Sequence, residues 1–318
     1  MGLLIIRTVL GVLLIILSAT SIQAQSIKVT LLGTGTPKLS FERFGPSTLV
    51  EAGTEKLLFD CGRGSTLRMQ QLGLRPRDVT SMFLTHLHSD HIVGIPDQWL
   101  TGWQGERTEP FRIWGPTGTK EMMHNLEKAY QVDIHFRIDY GNRDSKGGTV
   151  LAEDITEGVV YEKDGVKVTA FLVDHGPVVK PALGYRIDYQ GRSVAISGDT
   201  RFCENLIKFS KGVDLLVHEV VAAKEELINK SEAVRRIIAY HTTPEEAGRV
   251  FDRVKPKLAV YSHIALPSTP AIDEVTEQDL ITRTRKTYAG PLEVGEDLMT
   301  IEVGDKIEVR RFTSPSHE

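Results

Sequence analysis

At 318 residues, with 41% apolar and 25% charged side chains, the chain has the make-up of globular protein and the length for one large domain or two smaller ones. A formal charge of −4 and a pI near 6.2 exclude a global basic field of the kind that grips nucleic acid non-specifically. Only two cysteines occur, Cys61 and Cys203, so no disulfide framework holds the fold together, and their pairing is left open.

The opening 24 residues differ in class from the rest. Met1 to Arg7 carries one positive side chain, Val9 to Leu17 is apolar, and Ser18 to Ala24 is small and polar. This is the layout of a secretory signal peptide with cleavage after Ala24, which leaves residues 25–318 as one exported domain, periplasmic or secreted. A membrane span needs about 20 apolar residues; Arg7 interrupts this run, so no stable anchor is expected.

The mature chain mixes strand and helix patterns throughout. Ser26 to Leu32 reads as a strand ending in the turn Gly33-Thr34-Gly35-Thr36-Pro37, which lacks the Gly-Lys-Ser/Thr ending of a phosphate-binding loop. Ser47 to Ala52 and Lys56 to Asp60 form a hairpin around Gly53-Thr54, and Gly64 to Leu72 suits a helix. Val79 to Leu84 is an apolar strand that feeds Thr85-His86-Leu87-His88-Ser89-Asp90-His91. Gly118 to Tyr130 is helical, and Tyr140 to Gly148 reads as a surface loop. Val166 to Val173, Leu183 to Tyr189, Ser193 to Ser197, Asp214 to Val217 and Leu258 to Tyr261 are strands, with a helix at Pro244 to Val254. No repeat or low-complexity linker divides the chain. Layered sheets covered by helices are expected.

The metal-capable residues concentrate on loops after these strands. His86, His88, Asp90 and His91 fall within six residues. On an extended loop His86 and His88 point the same way, while Asp90 and His91 turn toward a second position beside them. Imidazole with carboxylate suits Zn²⁺, or Mn²⁺ or Fe²⁺, and no thiolate closes the site. His175, Asp199 and His263 each sit just past an apolar strand. Singly each reads as a capped turn or a satisfied core histidine; their shared placement changes that reading.

HxHxDH, His175, Ser197-Gly198-Asp199-Thr200 and His263 together resemble the metallo-β-lactamase superfamily. Leu32-Gly33-Thr34-Gly35-Thr36-Pro37, Phe59-Asp60-Cys61-Gly62, Val217-His218-Glu219 and His241-Thr242-Thr243 are similar to its branch of ribonuclease Z and exported arylsulfatases and phosphodiesterases. The resemblance implies an α/β fold, a four-layer αβ/βα sandwich with metals at the edges of two sheets. It implies one divalent ion on His86, His88 and His175, another on Asp90, His91 and His263, and Asp199 bridging them. Zinc is the metal expected, and a water shared by the pair would be the nucleophile, oriented by Asp90. Asp60 is a candidate to orient a histidine ligand.

His241 precedes a helix start in which Thr243 caps, Pro244 opens and Glu246 closes a capping box, so the segment explains itself structurally. The resemblance adds a catalytic role, with His241 paired to Glu219 and assisting the departing group. His218 alternates with Glu219 on a strand and is expected to face away. Trp99 and Trp103 follow the metal loop and are candidates for an apolar wall against an aryl group.

Two substrate readings follow. The first is an exported hydrolase of small phosphate or sulfate esters, capable of forming a homodimer. The alternative is a ribonuclease Z-type endonuclease that processes transfer-RNA 3′ ends; a lactonase or β-lactamase is a further possibility. The leader argues against the nuclease, as does the acidic balance. Many bacterial members carry a long arm that grips RNA, whereas here Tyr189 runs through Gln190-Gly191 directly into Arg192.

Overall fold

In the computed structural model, which describes residues 26–313, period-two burial organises two sheets. Leu57 and Phe59 point into the space between them, while Leu58 points outward under a helix. Leu215 and Val217 face inward and Leu216 outward in the same way. Strands buried on both faces need helices outside, and that requirement produces four layers.

The first sheet contains β1 (Ile27–Gly33), β2 (Ser47–Ala52), β3 (Glu55–Phe59), β4 (Ser81–Phe83), β5 (Phe111–Gly115) and β6 (Val150–Asp154), with β14 (Thr300–Val303) and β15 (Ile307–Arg310) beyond β1. The second contains β7 (Gly158–Lys163), β8 (Val166–His175), β9 (Val179–Tyr189), β10 (Arg192–Ile196), β11 (Leu215–Val221), β12 (Leu258–Ala265) and β13 (Leu292–Val294). Each sheet is part antiparallel and part parallel, the parallel runs being β3 to β6 and β10 to β13. Ligand sites in such sheets form outside the carboxyl ends of the parallel strands. Here those ends from the two sheets meet, joined by backbone bonds Leu183 N–H to Thr85 O (2.8 Å) and Ile264 N–H to Thr34 O (2.9 Å).

Helices α1 (Ser65–Gln71), α3 (Ile95–Gln104) and α4 (Thr119–Asp139) cover the first sheet's outer face, and the single turn α2 (Ser89–Ile92) lies inside the metal loop. A short α5 (Ser145–Gly148) packs beneath α3. α6 (Glu204–Ser210), α9 (Pro244–Val254) and α10 (Glu277–Thr284) cover the second sheet. α7 (Glu225–Lys230) and α8 (Glu232–Tyr240) form a satellite around Ala223, Leu227, Val234 and Ile272. The αβ/βα sandwich is therefore the architecture observed.

Several expectations need correction. The helix expected to stop at Tyr130 runs to Asp139, because no glycine or proline interrupts it there. The segment expected as a surface loop ends in α5, whose Gly147 and Gly148 are buried against Trp103; only a residue without Cβ fits, since an added carbon would lie 1.8 Å from Arg107 O. Trp99 and Trp103 are core, not wall: both are buried, and their indole N–H groups donate to Gly148 O and Asp144 O at 2.8 Å. β12 continues past Tyr261 to Ala265, so His263 lies within a strand rather than after one. Both cysteines are free, and Cys61 is buried. The leader expected at residues 1–24 lies outside the described residues, among which no helix is long and apolar enough to cross a membrane.

Candidate metal centre

The strand ends bring the seven candidate ligands to one place between the sheets. The β4 loop supplies His86, His88, Asp90 and His91; β8, the β10 loop and β12 supply His175, Asp199 and His263. Ligand atoms of His86, His88, His175 and Asp199 lie within 4.8 Å of one another, as do those of Asp90, His91 and His263. His86 Nε2 and His175 Nε2 approach His88 Nδ1 at 2.9 and 3.3 Å. A single oxygen, Asp199 Oδ2, is 3.4 Å from Nε2 of His91 and of His263, and 3.8 Å from Nε2 of His86 and of His175.

Local backbone devices aim these groups. Glu219 pairs with Ser262 and Val220 with Ile264, so His263 is the extra residue of a bulge, its φ of 43° in the left-handed region. Bulges re-aim side chains next to functional sites. Asp60, at a φ of 57° just past β3, is set likewise. Its Oδ2 accepts from His91 Nδ1 and from the Thr85 hydroxyl, both at 2.8 Å. That hydroxyl is then free to accept from His86 Nδ1 at 3.0 Å. One carboxylate thereby fixes the tautomer of two candidate ligands, leaving Nε2 of each toward the site. Sequence reading singled out Asp60 but not the Thr85 relay. His175 is fixed differently, donating from Nδ1 to the Tyr240 carbonyl at 3.0 Å. Nothing in the local sequence signals that contact, because any residue at 240 offers a carbonyl.

The electrostatics suit divalent cations. Burial holds the imidazole of His86 well below its ordinary range and moves those of His88 and His175 the same way, keeping lone pairs available. For His91 burial opposes charge, but Asp199 and Asp60 outweigh it and hold the group well above the usual range. Carboxylates that favour a proton there favour a metal cation for the same reason. His91 Nε2 and Asp199 Oδ1 are buried without a partner among the described residues, an arrangement a bound cation would satisfy.

At the edge of this cluster His241 Nδ1 donates to Glu219 Oε1 at 3.2 Å. The same oxygen accepts from the N–H groups of Thr200 (3.2 Å) and Thr242 (3.0 Å), which fixes the carboxylate. Burial works against a charged His241, yet Glu219 prevails and lifts it to about 9. Its ring lies 4.9 Å from that of His175 and 5.6 Å from that of His263, centroid to centroid. His241 also lies within ligand range of Asp199 and His263. His218 is buried against the ring of Phe251, apart from the cluster. A cavity of about 700 Å³ opens at the amino end of β4 around Arg77, Arg112 and Lys163 and includes none of these residues.

The family described as "Beta-lactamase superfamily domain" matches residues 55–264, which hold every one of these groups. The chain belongs to the metallo-β-lactamase superfamily and is a metal-dependent hydrolase of ester bonds. Within it the chain falls in the ribonuclease Z branch. It is 36% identical over 279 residues to the ribonuclease Z of Mycobacterium sp. (strain KMS), covering 87% of this chain and 96% of that one. It is 34% identical over 282 residues to the ribonuclease Z of Mycobacterium bovis (strain BCG / Pasteur 1173P2), covering 87% and 98%. Among solved structures, YhfI of Bacillus subtilis superposes with a TM-score of 0.68 at 17% identity, over 87% of this chain and 99% of its own. The short form of human tRNase Z superposes with a TM-score of 0.64 at 20% identity, over 87% and 99%. These structures share the fold.

Proposed function

We propose that this protein is a ribonuclease Z-type phosphodiesterase that cleaves RNA at a 3′ end. The observation carrying this reading is the Glu219–His241 pair at the edge of the ligand cluster. Expelling a ribose alkoxide requires a proton, whereas an activated phenolate leaves without one. His241, held by Glu219 with Nδ1 occupied, presents Nε2 as the donor. The proposed ligands are His86, His88 and His175 for one ion, Asp90, His91 and His263 for the other, and Asp199 between them. Two divalent ions, most simply zinc, would supply a water of lowered pKa and offset charge on the phosphoryl oxygens. Asp90 would accept a hydrogen bond from that water and orient it.

The names of the mycobacterial relatives support RNA as substrate. The turn between β9 and β10 has only two residues and so no long arm, yet relatives bearing the name ribonuclease Z align over 87% of this chain. A second reading, an exported hydrolase of small phosphate or sulfate esters, is favoured by the leader pattern of residues 1–24. The test is a panel on the metal-loaded protein: a transfer-RNA precursor with a 3′ trailer, a bis-aryl phosphodiester, an aryl sulfate and a lactone. Site-specific removal of the trailer is expected. Turnover of the small esters with an intact precursor would replace this reading by the second.

A further inference from the structure

A cavity of about 430 Å³ opens beside His88, His175, Asp199 and His241 and is walled by Pro177, Val178, Ile237 and Tyr240. Its wall is built from two elements that the fold holds together. Tyr240 closes α8, and its carbonyl fixes His175. Its ring lies on the backbone of Gly176, where an added Cβ would come within 2.7 Å. That contact sets the Pro177-Val178 tip of the β8–β9 turn against the helix. α8 has two apolar faces. Val234 and Ile238, four residues apart, pack inward on the satellite core. Ile237 and Tyr240, three apart, line the cavity instead and stay 39% and 37% exposed, with Val178 at 85%. Arg236 stands at the lip and, among the described residues, is ion-paired with exposed Glu232 alone, a pairing that contributes little and is readily exchanged.

We infer that this wall is the subsite for an aromatic ring carried by the leaving group of the scissile phosphate, a nucleobase or an aryl group. The inference rests on the phosphodiesterase reading for its substrate class. The cavity floor is the ligand cluster and His241, so a group bonded to the reacting phosphorus at that side meets this apolar surface. A flat ring between a proline–valine tip and an isoleucine–tyrosine face removes apolar surface on both of its sides from water. A second phosphate on the same leaving group would reach Arg236.

Binding of phenylphosphonate and ethylphosphonate to the metal-loaded protein tests this, since both carry the same anionic anchor and differ in the ring. The wild type is expected to prefer the phenyl compound about tenfold, and Ile237→Ser or Val178→Ser to lose most of that preference. Equal affinities in the wild type, or a preference untouched in both variants, would overturn the subsite. Turnover of diesters is read separately: a ring preference without any diesterase activity keeps the subsite and removes the functional reading. Arg236→Gln distinguishes the two sources of the ring. For a nucleotide it lowers kcat/KM for a dinucleotide with a 5′-terminal phosphate relative to one without; for an aryl ester that ratio stays constant.

Discussion

Asp199 and His241 differ in what their loss should remove. Asp199 Oδ2 faces four imidazole nitrogens at 3.4 to 3.8 Å, so Asp199→Ala is expected to abolish metal content and hydrolysis together. Elemental analysis of the purified variant checks this; full occupancy with wild-type rates would dismantle the proposed ligand set. His241→Ala should retain metal and slow turnover by about 10²–10⁴, the usual span for general acid catalysis. The loss should grow as the leaving group becomes a weaker acid. A leaving-group dependence no steeper than that of the wild type would reduce His241 to a neighbour of the α9 cap. Asp60 acts at one remove. Asp60→Asn keeps the shape but releases the tautomers of His91 and, through Thr85, His86. Metal affinity is expected to fall about 10–100-fold, as measured by competition with a chelating dye.

At the scale of elements, α9 was legible to the residue. Thr243 caps it, Pro244 opens it and Glu246 closes the box, as the spacing alone dictates. Thr243→Ala should cost about 1 kcal/mol in urea denaturation, the usual penalty for losing such a cap. The candidate ligands were legible for a related reason: each lies in or just past a strand whose apolar run is unmistakable. What sequence could not convey was set by tertiary contact. The bulge at His263 depends on the register with β11, a partner more than forty residues away in the chain. Trp99 and Trp103 looked available because they follow the metal loop, but the helix carrying them turns both into the core. α8 went unread because its apolar positions serve two neighbours, so no single stripe stands out. The apolar wall proposed for a substrate ring is carried by α8 instead.

For the whole molecule, the centre is a joint between sheets. Four candidate ligands come from the first sheet and three from the second, so cations there would tie the halves together. Stripping metal should lower the melting temperature, by about 2–4 °C for each kcal/mol of linkage lost in a chain of this size. A calorimetric scan with and without chelator measures it, and coincident scans would mean that packing alone fixes the two sheets. The span of the ligands, His86 to His263, has a further consequence in time. Translation must deliver more than four-fifths of the chain before the last imidazole exists, and that imidazole counts only once the final parallel strands have docked. Metal acquisition is then a late event, a signature that maturation is finished.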